Sequence, residues 1–155
     1  MIQRIQTLFL LLALAGYVLL FFFPIASFFS EMAYYKLYVT EIRNMGIDEN
    51  QFSRYMILPM LIVLSLIIVL VVVSILRYRN RLYQIRLNKI SILLTVFLIA
   101  GIFYFYPNRI ENRIGAGADF EIGAYFPLAS LLFLILANRF ILKDEKLIRS
   151  IDRIR

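Results

Sequence analysis

The chain has 155 residues, of which 62% are hydrophobic, and a formal net charge of +7. It contains no cysteine and no histidine, which excludes disulfides, thiolate chemistry and cysteine-held iron–sulfur clusters and removes the commonest metal ligand and neutral-pH proton shuttle. No metal or cofactor is expected, and the length leaves room for one membrane domain over 1–155 rather than a further soluble one.

The first apolar run, Ile5–Phe28, follows Arg4. Its core is too long for the h-region of a signal peptide. No small-x-small cleavage site follows Phe23-Pro24, so the run reads as a retained anchor. The segment Phe29–Arg54 is long enough for its own secondary structure. Tyr35, Leu37 and Val39 alternate on one face, as in a short strand; a helical extension of the first run fits the same residues. Met45-Gly46 marks a turn. The second run, Tyr55–Leu76, carries Pro59 near its start, where a helix tolerates proline. A basic gap, Arg77–Lys89, separates it from the third run, Ile90–Tyr106. Gly115-Ala116-Gly117 is a second turn, and Ala118–Ile122 repeats the short alternation, so a small outer hairpin or sheet joining the two loops is compatible with the sequence. The fourth run, Ala124–Leu142, is followed by the tail 143–155.

Each run approaches the roughly 20 residues that a helix needs to cross about 30 Å of hydrocarbon. None holds a charged residue before Arg139. The expected fold is therefore an all-α membrane protein with four transmembrane helices. Of the 17 lysines and arginines, Arg4, Arg77, Arg79, Arg81, Arg86, Lys89, Arg139, Lys143, Lys146, Arg149, Arg153 and Arg155 fall on one side. Lys36, Arg43, Arg54, Arg109 and Arg113 fall on the other. Basic residues stay cytoplasmic, so both termini are expected inside, in an inner membrane. The same charge favours the anionic inner leaflet over nucleic acid as partner.

Pro24, Pro59, Pro107 and Pro127 all lie near the outer ends of the runs, amid phenylalanines and tyrosines that read as an interfacial belt. Ala15-Gly16 before Pro24 and Ala100-Gly101 before Pro107 give the two halves a weak likeness, open to duplication or to shared membrane constraints. On a helix, Leu147, Ile148, Ile151 and Ile154 of the tail form an apolar stripe, with Lys146, Arg149 and Arg153 on another face. A basic amphipathic C-terminal helix of this kind lies on lipid or docks on an acidic partner.

The stretches MIQRIQT, RLYQIRL and ANRFILKDEKLIRSIDRIR resemble a family of small bacterial four-span inner-membrane proteins of unknown function. The likeness covers nearly the whole chain and is most specific at its C-terminal end. It implies the four-span architecture and draws attention to Gln3, Arg4, Gln6, Arg81, Gln84, Arg86, Asn138, Arg139, Asp144, Glu145, Arg149, Asp152 and Arg153. Arg and Gln donors beside Asp and Glu acceptors would tie helix ends together by charge-assisted hydrogen bonds.

Three function classes compete. A non-catalytic accessory subunit or assembly factor of a larger membrane complex, with membrane-protein partners, fits the small size and polarised faces. A transporter or channel would place ionisable groups at mid-membrane, where the runs offer only Tyr17, Ser65, Ser74, Ser91, Thr95 and Tyr104; lipid or quinone binding is a further alternative. An enzyme would need a base, nucleophile or metal that the runs do not supply.

Overall fold

A computed structural model of the chain describes residues 2–29, 34–45, 52, 54–77 and 80–152, with the backbone alone at 2–4, 54 and 146–152. Helices α1 (Ile2–Leu19), α2 (Leu58–Leu76), α3 (Arg81–Ala100), α4 (Tyr106–Ile114) and α5 (Phe126–Asp152) account for most of it, with strands β1 (Ala26–Phe29), β2 (Tyr34–Leu37), β3 (Ile42–Asn44) and β4 (Ala118–Phe120).

The buried positions of the long helices recur at alternate spacings of three and four. In α1 they are Gln6, Leu10, Ala13 and Tyr17; in α2 Met60, Leu64, Ile67, Val71 and Ser74; in α5 Ser130, Leu134, Ala137, Ile141 and Asp144. That spacing gives each helix one inward stripe and the interdigitated, slightly crossed packing of a helical bundle. α5 packs chiefly on α1 and also on α3, α2 packs on α3, and α1 touches α2. The four therefore close into a ring in the order α1, α2, α3, α5. The opposite stripes carry large exposed apolar side chains, among them Leu8, Ile62, Val69, Leu93, Phe97 and Leu132. Three helical segments, Leu58–Leu76, Arg81–Ile114 and Ile122–Glu145, are long and apolar enough to cross a membrane, and the apolar stretch Ile5–Leu19 is shorter.

The first run departs from its expected extent. Its helix stops at Leu19, the chain turns through Leu20–Phe23, and Ala26–Phe29 becomes a strand. Pro24, which has no N–H to donate, lies in the break. The end of the first run and the two loops thus form a four-stranded antiparallel sheet, β3-β2-β1-β4, which joins the loops through the β1–β4 pair as the two short alternations allow, and which is more than a simple hairpin and excludes the helical extension. The expected alternation holds at its centre: Tyr35, Leu37 and Val39 are buried and join Ile25 and Phe28 in the same core as the helices. Gly123 seals this end. Its N–H donates to the Pro24 carbonyl at 3.0 Å, and a Cβ there would lie 2.3 Å from that oxygen.

Two further boundaries differ. The basic gap is largely helical, because α3 begins at Arg81; the Asn80 side chain caps it by accepting from the Tyr83 N–H at 3.4 Å. The third run continues without a break through a π-helical segment, Gly101–Phe105, into α4. There the Tyr106 N–H reaches back to the Gly101 carbonyl, and the widened turn accommodates Pro107 inside a continuous helix. The tail is likewise no separate helix: the backbone of α5 runs on to Asp152. The proposed stripe from Leu147 to Ile154 lies outside the described side chains.

Candidate functional site

The end of the bundle opposite the sheet holds most of the polar side chains of the interior. α1 brings Gln6 there, α3 brings Arg81, Gln84 and Asn88, α5 brings Asn138 and Asp144, and α2 brings Ser74. Gln6, Ser74, Gln84, Asn88 and Asp144 are all buried.

Two contacts join three helices at this end. The Gln6 amide donates to the Asp144 carboxylate across the α1–α5 seam. The Arg81 guanidinium donates to the backbone carbonyl of Asp144 at 3.5 Å, so it meets the helix rather than the carboxylate. About two turns deeper along α3, Asn88 donates to the Leu134 carbonyl at 3.1 Å, linking α3 to α5. At mid-bundle Tyr17 and Thr95 lie 2.6 Å apart across the ring. Thr95 gives its own proton to the Ser91 carbonyl at 2.7 Å, so the tyrosine is the donor to Thr95. Ser130 donates to the Ala13 carbonyl at 3.1 Å, linking α5 to α1. A Cβ on Gly16 would lie only 2.2 Å from the Ser130 hydroxyl.

Three buried oxygens lack a donor: Ser74 Oγ, Asn88 Oδ1 and Asn138 Oδ1. In a low-dielectric interior an unpaired polar atom is costly, so their presence in three facing helices is the unusual chemistry of this end. Among the described residues no group of three or more acidic side chains could hold a metal ion.

Of the residues singled out in the sequence, the structure brings Arg81, Gln84 and Asp144 to this polar end and leaves Arg86 and Arg139 exposed on its outer surface. Glu145 is half-buried. The side chains of Arg4, Arg149 and Asp152, and the whole of Arg153, lie outside the described residues. Of the polar groups in the runs, Tyr17, Ser74, Ser91 and Thr95 face inward. Tyr104 faces outward, and Ser65 turns back to the Leu61 carbonyl at 2.8 Å. Sequence reasoning overlooked Asn88 and Ser130. The signal for Asn88 is a polar stripe along α3: Gln84, Asn88, Ser91 and Thr95 recur at steps of four, three and four.

At the sheet end the charges are superficial. Lys36 lies 3.4 Å from Glu121, and Arg43 lies 2.5 Å from Glu41. The Lys36 ammonium is held above its ordinary pKa, first by its hydrogen bond with the Tyr34 hydroxyl and then by Glu121.

No curated protein matches the chain. A family model described as a domain of unknown function, DUF4293, matches residues 2–154. The match takes in the polar end, the sheet and every helix, and the chain belongs to that family.

Proposed function

We propose that the protein crosses the bacterial inner membrane four times with both termini cytoplasmic and serves as a non-catalytic accessory or assembly subunit of a larger membrane complex. α1 has 18 residues, about 27 Å of helix. The exposed Phe22 and Phe23 of the following turn extend its apolar surface, which brings it close to the span of a bilayer.

The observation that carries the reading is the use made of interior polar groups. Gln6, Asp144, Arg81, Tyr17, Thr95 and Ser130 close on one another or on helix carbonyls, which ties α1, α3 and α5 together, while α2 packs on α3 and α1. The outer stripes then offer flat apolar faces to lipid and to partner helices. The test is purification of the tagged protein from native membranes in mild detergent, with stoichiometry by mass spectrometry. A partner present in fixed ratio supports the subunit; a protein recovered alone, with its helices intact, ends that reading. Reporter fusions at residues 45 and 115 should read periplasmic, and those at 82 and 155 cytoplasmic.

The unpaired oxygens of Ser74, Asn88 and Asn138 favour a second reading, a hydrated path for a small solute. Ser74→Ala separates the two. It leaves a subunit intact, whereas loss of a cellular phenotype with normal folding would favour transport.

A further inference from the structure

Two carboxamides meet inside the bundle where α5 faces α3. Phe133 and Phe140 stack on Phe9 of α1, which fixes one flank of α5 against α1. Asn138 lies five residues past the first and two before the second, about 140–160° round the helix, and so on the flank turned to α3. From α3, the Asn88 amide nitrogen reaches the Leu134 carbonyl at 3.1 Å. That carbonyl also closes its helical turn onto the Asn138 N–H, and helix side chains lean back over the preceding turn. The two side chains therefore come together over a single turn of α5. The Oδ1 of each is buried and has no donor among the described residues.

An amide oxygen only accepts. It cannot donate back to its own helix as a serine hydroxyl can, and the backbone N–H groups around it are spent within α3 and α5. The donor is therefore a separate molecule, and it has to fit inside the closed bundle, because both oxygens are sealed from outside. A cation is the wrong guest. Two neutral amide oxygens do not offset the cost of a charge in a low-dielectric interior, and the buried carboxylate of this end, Asp144, is engaged by Gln6. Water suits the place: it is neutral, and its two protons serve two acceptors.

We propose that an internal water molecule, enclosed as the bundle closes, bridges Asn88 Oδ1 and Asn138 Oδ1 and completes the α3–α5 seam. Globular proteins enclose roughly one such water per 27 residues, on polar groups otherwise unpaired. Hydration ends in this half of the molecule. Toward the sheet the interior passes the bonded Tyr17–Thr95 pair into the apolar core of Ile25, Leu64, Leu98 and Ile102. The site goes beyond the accessory-subunit reading and is independent of any partner. It counts against a hydrated path, because an apolar core closes the interior beyond Thr95.

The full-length protein in detergent micelles is given a brief X-ray pulse, which turns water into hydroxyl radicals that mark the side chains beside it, and the marks are located by mass spectrometry. Leu134, Leu64 and Ile102 are all fully buried, so bulk solvent marks none of them. Leu134 should be marked, and Leu64 and Ile102 should not. When heavy-oxygen water is mixed in just before the pulse, Leu134 should take up the heavy isotope later than the exposed Met45. Asn88→Leu and Asn138→Leu each replace one acceptor with apolar atoms, and either should bring the Leu134 mark down to the Ile102 level. The unaltered protein carries the test if both variants misfold. An unmarked Leu134 in wild type, or a mark that survives both substitutions, would overturn the proposal. Isotope uptake as fast as at Met45 would open the site to bulk solvent and overturn the enclosure. Equal marking of Leu64 and Ile102 would overturn it in favour of a continuous hydrated path. Thermal unfolding that differs among sodium, potassium and choline chloride would assign the two oxygens to a cation and overturn the water.

Discussion

α5 has two seams, and they are built in opposite ways. Against α1 it is closed: Gly16 faces Ser130 at near-contact, the Ser130 hydroxyl is bonded to Ala13, Asp144 receives Gln6, and Phe9 stacks on Phe140 with ring centres 5.5 Å apart. Against α3 it is incompletely bonded: Asn88 bonds to Leu134 through its nitrogen alone, and the buried Oδ1 atoms of Asn88 and Asn138 have no partner among the described residues. One side of α5 is thus held by completed polar contacts and the other mainly by packing, with polar capacity left over.

The comparison breaks most severely at Gly16. A Gly16→Val side chain has no space, because its first carbon already falls within 2.2 Å of Ser130 Oγ. Overpacking of this kind costs about 1–3 kcal/mol, with the loss of the Ser130 bond added. Unfolding of the purified protein in mixed micelles should show it, and a variant as stable as wild type would mean that the α1–α5 seam is not closed. Next comes Asp144→Leu, which leaves the buried Gln6 amide without an acceptor and should cost about 1–3 kcal/mol. Asp144→Asn keeps an acceptor oxygen and should cost distinctly less; equal losses would show that charge, rather than the bond, matters there.

The two buried serines sharpen the contrast. Ser130→Ala removes a made bond and should lose about 0.6 kcal/mol, the average for interhelical bonds in membranes. Ser74→Ala removes an oxygen that has no partner, so stability should be unchanged or slightly higher. If Ser74→Ala is the more damaging of the pair, Ser74 is bonded to a group outside the described residues.

Much of this architecture was legible in the sequence, and the failures have specific causes. Apolar length marks helices well where a helix is buried in itself, as in Leu58–Leu76. It misleads at Ala26–Phe29, because a central strand covered on both sides is as uniformly apolar as a membrane helix; Pro24 was the sign of the break. The charge density of Arg77–Lys89 made that stretch look like a loop, although Gln84 and Asn88 within it already stand one helical turn apart. The pairing of Gln6 with Asp144 was not legible beyond the family likeness, since it joins residues 138 positions apart and depends on the register of α1 on α5. The unpaired oxygens were invisible for the same reason, because whether an asparagine is satisfied depends on what faces it.

The smallest effect belongs to the sheet end, where polar contacts lie at the surface and the backbone ladder carries the structure. Lys36 on β2 lies beside Glu121, just past β4, and thus spans β1. Its folded-state pKa is raised above lysine's ordinary 10.5, chiefly by the Tyr34 hydroxyl. A raised value means that folding favours the charged form. Its contribution is therefore complete below pH 10.5 and is lost as pH rises through the higher folded value. The side chain is solvated and the pair screened, so the effect should be slight and salt-sensitive. The stability difference between wild type and Lys36→Met should stay level from neutral pH to about pH 10 and close above it. The double difference matters because tyrosines ionise in the same range in both proteins. A difference that persists unchanged past pH 11 would show that the Lys36 stem contributes and its charge does not.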